Sequence, residues 1–368
     1  MQKLKILTVF GTRPEVIKLA PFIKAVEADL ECVSVTCATT QHRELQNNFL
    51  DLFHISPHHD LGVMVDGQDL FHITESVISQ IKKVFDDEKP DFTVVQGDTT
   101  TSFAAALASF YKEIPVVHIE AGLRTRNIYR PYPEEANRAM TSRIASLNMA
   151  PTETAMANLA QEGITANAFK VGNTIVDAVD WILQAKTIHS AIIKKVLQAK
   201  QKKVLITIHR RENFGLPLQE MCFAIREISL KYPDYLFIWP VHPNPNLNSY
   251  VHTTMKNIPN MCLIEPVSYV DLISLLKESS IILSDSGGIQ EESFILEKRI
   301  IILREETERP EVVDSGYGVL AGHDKDVICG YFEKIIEEGQ TFLGKQHPEE
   351  VYGKPGVSKN ILSKIKSS

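Results

Sequence analysis

Apolar residues fall along this chain in short continuous runs, and each run ends in a polar turn followed by a stretch with apolar positions at helical spacing. That rhythm predicts strands over Lys5–Phe10, Glu31–Ala38, Phe92–Gln96, Pro115–Ile119, Leu147–Ala150 and Ala168–Val171. Helices fill the intervals, from Pro14 to Asp29 and over Arg43–Phe53, Leu70–Glu88, Thr99–Tyr111, Pro133–Ser146 and Thr152–Glu162. After the polar stretch Lys186–Lys203 the rhythm restarts, with strands Val204–Ile208, Tyr235–Trp239, Met261–Ile264, Ile281–Leu283 and Ile300–Leu303 between helices Leu218–Lys231, Tyr269–Ser279 and Ile289–Lys298. Strands that are apolar on both faces and alternate with helices form parallel sheets covered on both sides. The expectation is an α/β chain of two doubly wound parallel-sheet domains, residues 1–185 and 186–368, facing each other across a cleft.

In such sheets ligands sit beyond the carboxyl ends of the strands. The polar clusters fall there, after Phe10, Gln96, Ile119, Ile208, Trp239 and Leu283. The stretch Ile281–Lys298 joins a strand to a helix through Ser284-Asp285-Ser286-Gly287-Gly288. Adjacent glycines let backbone approach a ligand, and a helix start offers unpaired N–H groups to an anion. Ser286 can add a hydroxyl, and Glu292 one turn on suits a ribose diol better than a phosphate. A tight connection capped by a serine accounts for the same residues. Gly11-Thr12-Arg13-Pro14 is a second turn of this kind.

Three further clusters carry carboxylates: Asp98 after one strand, Glu120 after the next, and Glu134 at a helix start beyond the loop Ala121–Pro133. Capping explains Asp98 and a favourable helix dipole explains Glu134 when each is taken singly. Together they would line one wall with acids, while Arg13, Lys18, His209 and the Gly287-Gly288 turn supply positive charge or dipole. Acid–base work on a sugar with a phosphate leaving group needs that division. His118, inside an apolar strand, reads as a core residue.

Composition narrows the partners. With 368 residues, a net charge of −7 and 23% charged residues, the chain is an ordinary globular composition that disfavours nucleic acid or an anionic membrane. No apolar run reaches membrane-spanning length, and the N-terminus enters a strand pattern, so a cytoplasmic location is expected. Five cysteines without a CxxC pair make no disulfide framework, and the twelve histidines include no HxxxH pair with a nearby acid on one helical face, so a zinc site is not expected. Gly339–Lys345 imitates a P-loop, but Gln346 replaces its Ser or Thr. The first strand is not followed by GxGxxG, which disfavours a dehydrogenase.

Taken in order, the segments TVFGTRPEVIK (Thr8–Lys18), GDTTT (Gly97–Thr101), HIEAGLRT (His118–Thr125), PEEANR (Pro133–Arg138), HRREN (His209–Asn213), PVHPNPN (Pro240–Asn246), SDSGGIQEE (Ser284–Glu292) and TERPE (Thr307–Glu311) resemble the non-hydrolysing bacterial UDP-N-acetylglucosamine 2-epimerases. The match extends over nearly the whole chain. The resemblance implies a GT-B architecture of two Rossmann-like domains, with the last helix packing back on the N-terminal domain, a homodimer, and interconversion of UDP-GlcNAc with UDP-ManNAc for cell-envelope polysaccharide. It implies neither NAD nor metal. Carried onto matching positions, Asp98, Glu120, Glu134 and His209 are the catalytic set. Arg13, Lys18, Ser286, Gly287, Gly288 and Glu292 bind substrate, and Val267 and Leu272 flank the uracil. The chain departs from its relatives at Ile208, at Pro266–Leu272 and at Gly67; Gln41, His42 and Arg43 match a loop that binds a second UDP-GlcNAc in regulated relatives. A hydrolysing epimerase, a GT-B glycosyltransferase and a sugar-nucleotide sensor are the competing readings.

Overall fold

The computed structural model describes residues 3–39, 49–63, 65, 67–185, 190–210, 213–339 and 342–368. Gln41, His42 and Arg43, most of the expected helix Arg43–Phe53, and Arg211 and Glu212 lie outside them. The chain divides into two compact units, Met1–Trp181 with Val351–Ser368, and Ile182–Glu350. Among the described residues no helix is long and apolar enough to cross a membrane.

The first unit is built on β1 (Leu4–Phe10), β2 (Cys32–Ala38), β3 (His59–Asp60), β4 (Phe92–Gln96), β5 (Val116–Ile119), β6 (Leu147–Ala150) and β7 (Ala168–Lys170), all parallel, in the order β3-β2-β1-β4-β5-β6-β7. The order reverses between β1 and β4, which is the switch point of a Rossmann-like sheet. Leu7, Val9, Val35 and Val95 pack under the alanine-rich helix Thr100–Tyr111. Small side chains there let the helix lie close to the sheet. The C-terminal helix Val357–Lys366 belongs to this unit, its first N–H groups anchored on Asp177: Oδ1 accepts from Gly356 and Oδ2 from Ser358, at 2.6 and 2.7 Å.

The second unit repeats the plan with β8 (Lys202–Thr207), β9 (Tyr235–Pro240), β10 (Met261–Ile264), β11 (Ser279–Ser284), β12 (Arg299–Ile302) and β13 (Gly318–Leu320), in the order β10-β9-β8-β11-β12-β13. Its switch point lies between β8 and β11. Phe237, Trp239, Ile206 and Phe332 are central to its core.

Among the described elements that the sequence did not reveal are β3, β13, the helix Ile175–Gln184 and two helices whose concealment has a local cause. The polar stretch Lys186–Lys203 contains the helix Ala191–Gln198, capped by Ser190 and burying only Ile193 and Val196. Pro245, in a segment rich in proline and asparagine, starts the helix Pro245–Thr254, because proline is tolerated where a helix N–H has no partner in any case.

His118 is fully buried in β5. Its Nε2 donates to the Gly97 carbonyl at 2.8 Å, which leaves Nδ1 to accept from the Ser142 hydroxyl at 3.1 Å. Burial drives its pKa down from 6.5 to about 4, so the folded chain keeps it neutral. As pH falls from 6.5 towards 4, the unfolded chain gains this proton before the folded one does. His118 should therefore cost the fold on the order of 3 kcal/mol over that interval. Urea denaturation of His118→Gln should show a shallower loss of stability between those pH values than the wild type; parallel curves would rule this out.

Candidate functional site

In the first unit, β1 runs into Gly11 and Thr12 and then into the helix Arg13–Ala28, with Thr12 and Glu15 forming a capping box. Gly11 is required by packing, since a Cβ there would lie 2.3 Å from Thr39 Oγ1 and 2.7 Å from Thr101 Oγ1. Glu15 is fully buried. Its Oε2 accepts from the N–H groups of Gly11 at 2.9 Å and Thr12 at 2.6 Å. Its Oε1 lies 2.6 Å from each of the Thr99 and Ser102 hydroxyls, which belong to the turn after β4 and the helix that follows. One side chain thus joins both turns at the switch point. Burial pushes its pKa up against these hydrogen bonds. Arg13 is exposed, its guanidinium 5.6 Å from the centre of the Phe49 ring.

Asp98 is not the cap of the helix that follows it. Thr99 caps that helix by accepting from Ser102 N–H, and Asp98 instead pairs with Arg138, while its carbonyl accepts from Asn137 Nδ2 at 3.0 Å. Both partners stand on the helix Glu134–Ile144, so Glu134 begins an element pinned to the Asp98 turn. Glu135, next to it, accepts from the backbone N–H groups of Thr125 and Arg126 at 3.0 and 2.8 Å and thereby holds the arginine loop. Arg124 in that loop pairs with Glu162.

Glu120, just past β5, has φ +66°, a left-handed conformation that non-glycine residues adopt at a cost, often at functional sites. Its buried carboxylate pairs with buried Lys18 and accepts from Gln96 Nε2 at 2.5 Å. Two charges removed from water together are tolerable because each satisfies the other. Lys18, Asp98 and Glu120 therefore gather at the carboxyl edge of β1, β4 and β5.

In the second unit Asp285 organises the corresponding edge. It is fully buried between β8 and β11, accepting from the N–H of His209 at 3.0 Å, the N–H of Arg210 at 2.9 Å and Asn213 Nδ2 at 2.9 Å. His209 Nδ1 is 3.1 Å from its other oxygen. Burial pushes this carboxyl up, but the His209 contact and the two backbone donors outweigh it and hold the pKa below the usual aspartate range. The His209 ring also stacks on His242, with centroids 6.3 Å apart.

Ser286 begins the helix Gly287–Ile295 without using its hydroxyl as a cap. The two glycines differ. A Cβ on Gly287 would lie 2.7 Å from Arg309 Nη1, whereas one on Gly288 would meet nothing within 4 Å. Arg309 reaches Glu308 at 2.5 Å and Glu291 at 2.9 Å, and Arg304 reaches the other Glu308 oxygen at 2.9 Å. Burial pushes Glu308 up, but Arg309, Arg304 and Arg210 hold it far below the ordinary glutamate value. Buried Glu292 accepts from the Tyr269 hydroxyl at 2.9 Å. Val267 and Leu272, both half-buried, flank Ser268 and Tyr269 at the start of the helix Tyr269–Glu278.

The family model described as UDP-N-acetylglucosamine 2-epimerase matches residues 24–366. The UDP-N-acetylglucosamine 2-epimerase of Neisseria meningitidis serogroup A is 42% identical over 370 residues, 98% of this chain and 99% of its own. The chain belongs to the UDP-N-acetylglucosamine 2-epimerase family. Members of this family are isomerases. The crystal structure of the Neisseria meningitidis UDP-GlcNAc 2-epimerase bound to UDP-GlcNAc has a TM-score of 0.92 to this chain at 43% identity, covering 99% of it and 100% of that chain. The Methanocaldococcus jannaschii UDP-GlcNAc 2-epimerase in complex with UDP-GlcNAc and UDP gives 0.85 at 32%, covering 99% and 100%. The two Rossmann-like units are those of a GT-B type epimerase.

Reading the sequence for this family singled out the residues that could face a ligand. It missed those that hold them: Glu15, Arg138, Asp285 and Arg309. Glu15 and Asp285 stand a few residues from a glycine turn, which was their only local signal, whereas Arg138 and Arg309 have no glycine turn near them in the sequence. The glycine asymmetry predicts that Gly288→Ala leaves thermal stability within about 0.5 kcal/mol of wild type. Gly287→Ala should lower it measurably by displacing Arg309. Equal melting temperatures for the two variants would contradict this packing.

Proposed function

We propose that the chain is a non-hydrolysing UDP-N-acetylglucosamine 2-epimerase that interconverts UDP-GlcNAc and UDP-ManNAc. The observation that carries the reading is the gathering of Asp98 and Glu120, each paired with a cation, at the carboxyl edge of the first sheet, with Glu134 opening the helix pinned to Asp98.

The C2 hydrogen of the hexosamine is weakly acidic, so departure of the anomeric phosphate must accompany its removal. A carboxylate takes the C2 proton, the C2–H electron pair becomes the C1=C2 bond of 2-acetamidoglucal, and the C1–O pair leaves with UDP. Delivery of a proton to the opposite face of C2 leaves C1 electron-poor, and a UDP phosphate oxygen closes the bond again. The sum is redox-neutral. In this reading Asp98, Glu120 and Glu134 move the protons, and Lys18 holds Glu120. Arg13, His209, Ser286 and the amides of Gly287 and Gly288 stabilise the departing diphosphate, where much of the catalysis lies. Glu292 takes the ribose, and Val267 and Leu272 border the uracil. We further infer a cytoplasmic homodimer whose product supplies cell-envelope polysaccharide, in keeping with the sequence resemblance. A hydrolysing epimerase would use the same elimination but let water capture the glycal stage.

Proton NMR of UDP-GlcNAc incubated with the protein in deuterated water tests the reading. UDP-ManNAc carrying deuterium at C2 is expected; free ManNAc with UDP would establish the hydrolysing type, and binding without exchange a sensor. Asp98→Asn should retain UDP binding and lose turnover by about 10²–10⁴-fold. Unchanged turnover would remove Asp98 from the mechanism.

A further inference from the structure

We propose that Glu15 is a positioning residue held as the neutral carboxylic acid, locking the turn after β1 to the turn after β4 and so setting Arg13 and Asp98. The inference deepens the epimerase reading, since turnover is one of its readouts.

Counting protons carries it. The Ser102 Oγ lies 2.6 Å from Glu15 Oε1 and 2.6 Å from the Gln96 carbonyl oxygen. A serine hydroxyl has one proton, and the carbonyl has none to give. If Glu15 were ionised, one of these two short contacts would set lone pair against lone pair. With a proton on Oε1, Glu15 donates to Ser102 Oγ, and the Ser102 hydroxyl donates to Gln96. Oε2 accepts from Gly11 and Thr12 N–H, and the Thr99 hydroxyl donates to Oε1 while its oxygen accepts from Ser102 N–H at 3.0 Å. The longer approach of Thr99 Oγ1 to Ser102 Oγ, 3.1 Å, is then left without a proton, whereas an ionised Glu15 would leave both it and one of the 2.6 Å contacts without one.

Every group bonded to the Glu15 carboxyl is itself uncharged. Of the charged residues on the surrounding elements, Lys18 is paired with Glu120, Asp98 with Arg138, and Arg13 is exposed. Full burial raises the cost of the anion in the same direction. The chain of contacts continues from Ser102 through Gln96, whose side chain donates to Glu120. Glu15 therefore steadies the residue that holds the proposed base as well as the two turns.

Glu15→Gln stands in for the neutral acid: its carbonyl accepts from Gly11 and Thr12, its amide donates to Ser102 and Thr99, and the Thr99 hydroxyl turns to Ser102 Oγ, 3.1 Å away. It should keep wild-type kcat and an unchanged kcat–pH profile, whereas Glu15→Ala, which frees both turns, should lose on the order of 100-fold. The difference in melting temperature between Glu15→Gln and wild type should shift in favour of Glu15→Gln as pH rises above the ordinary glutamate pKa. There the folded wild type must retain a proton that the unfolded chain has lost. Substrate-free infrared difference spectra at neutral pH should show a protonated-carboxyl C=O band that Glu15→Gln lacks and that Ser102→Ala displaces in frequency. That arm is independent of the epimerase reading and of whether Glu15→Gln folds. Loss of activity in Glu15→Gln equal to that in Glu15→Ala, a stability difference of opposite sign, or absence of the infrared band would each overturn the proposal.

Discussion

A buried carboxylate spans the switch point of each sheet, and the polar edges of both units depend on it. Where strand order reverses, two neighbouring strands send their following helices to opposite faces, and the turns between them part. That opening admits a ligand, but it also leaves turn N–H groups with no ladder partner. Glu15 closes the account between β1 and β4 and Asp285 between β8 and β11. Residues that meet solvent or ligand, Arg13 and Asp98 on one unit and His209 and Ser286 on the other, are held by these two side chains and the backbone they organise.

The two carboxylates resolve burial in opposite ways because their partners differ. Asp285 accepts from backbone N–H groups, an asparagine amide and an imidazole, all of which favour the anion, and its pKa falls. Glu15 meets two N–H groups on one oxygen and two hydroxyls on the other, one of them already committed to a carbonyl. Hydroxyls can accept as readily as donate, so the neutral acid is accommodated without an orphaned group. On an edge that already holds Asp98, Glu120 and Glu134, a further buried anion bonded only to uncharged partners would be the costliest member.

Much of the fold was legible because apolar strands covered on both faces leave continuous runs, and the α/β class follows directly from them. The helix Pro245–Thr254 was hidden because its proline sits where a helix tolerates one, and Ala191–Gln198 because it buries a single narrow edge. At the site, residues that end strands announced themselves by interrupting apolar runs. Asp98 was visible in this way, although its partner Arg138 was not. The pairing depends on how the helix Glu134–Ile144 lies across the Asp98 turn, which no local pattern encodes. Gly287 carries a second constraint that adjacent glycines did not announce: besides any ligand approach, its missing side chain makes room for Arg309.

The same contrast bears on what the second unit offers an anion. Asp285 is fully buried and its charge is absorbed by inward-facing donors, while Glu308 is matched by Arg304, Arg309 and Arg210. Acids that would repel a diphosphate are thereby neutralised behind the turn, and the start of the helix Gly287–Ile295 keeps its favourable dipole. Gly288, with open space where a side chain would stand, leaves that helix start accessible. A donor that is to act on an anion must be fixed beforehand, and a buried aspartate with four fixed contacts holds His209 more rigidly than a solvent-exposed pair could; under the proposed reading that fixity would serve the leaving diphosphate.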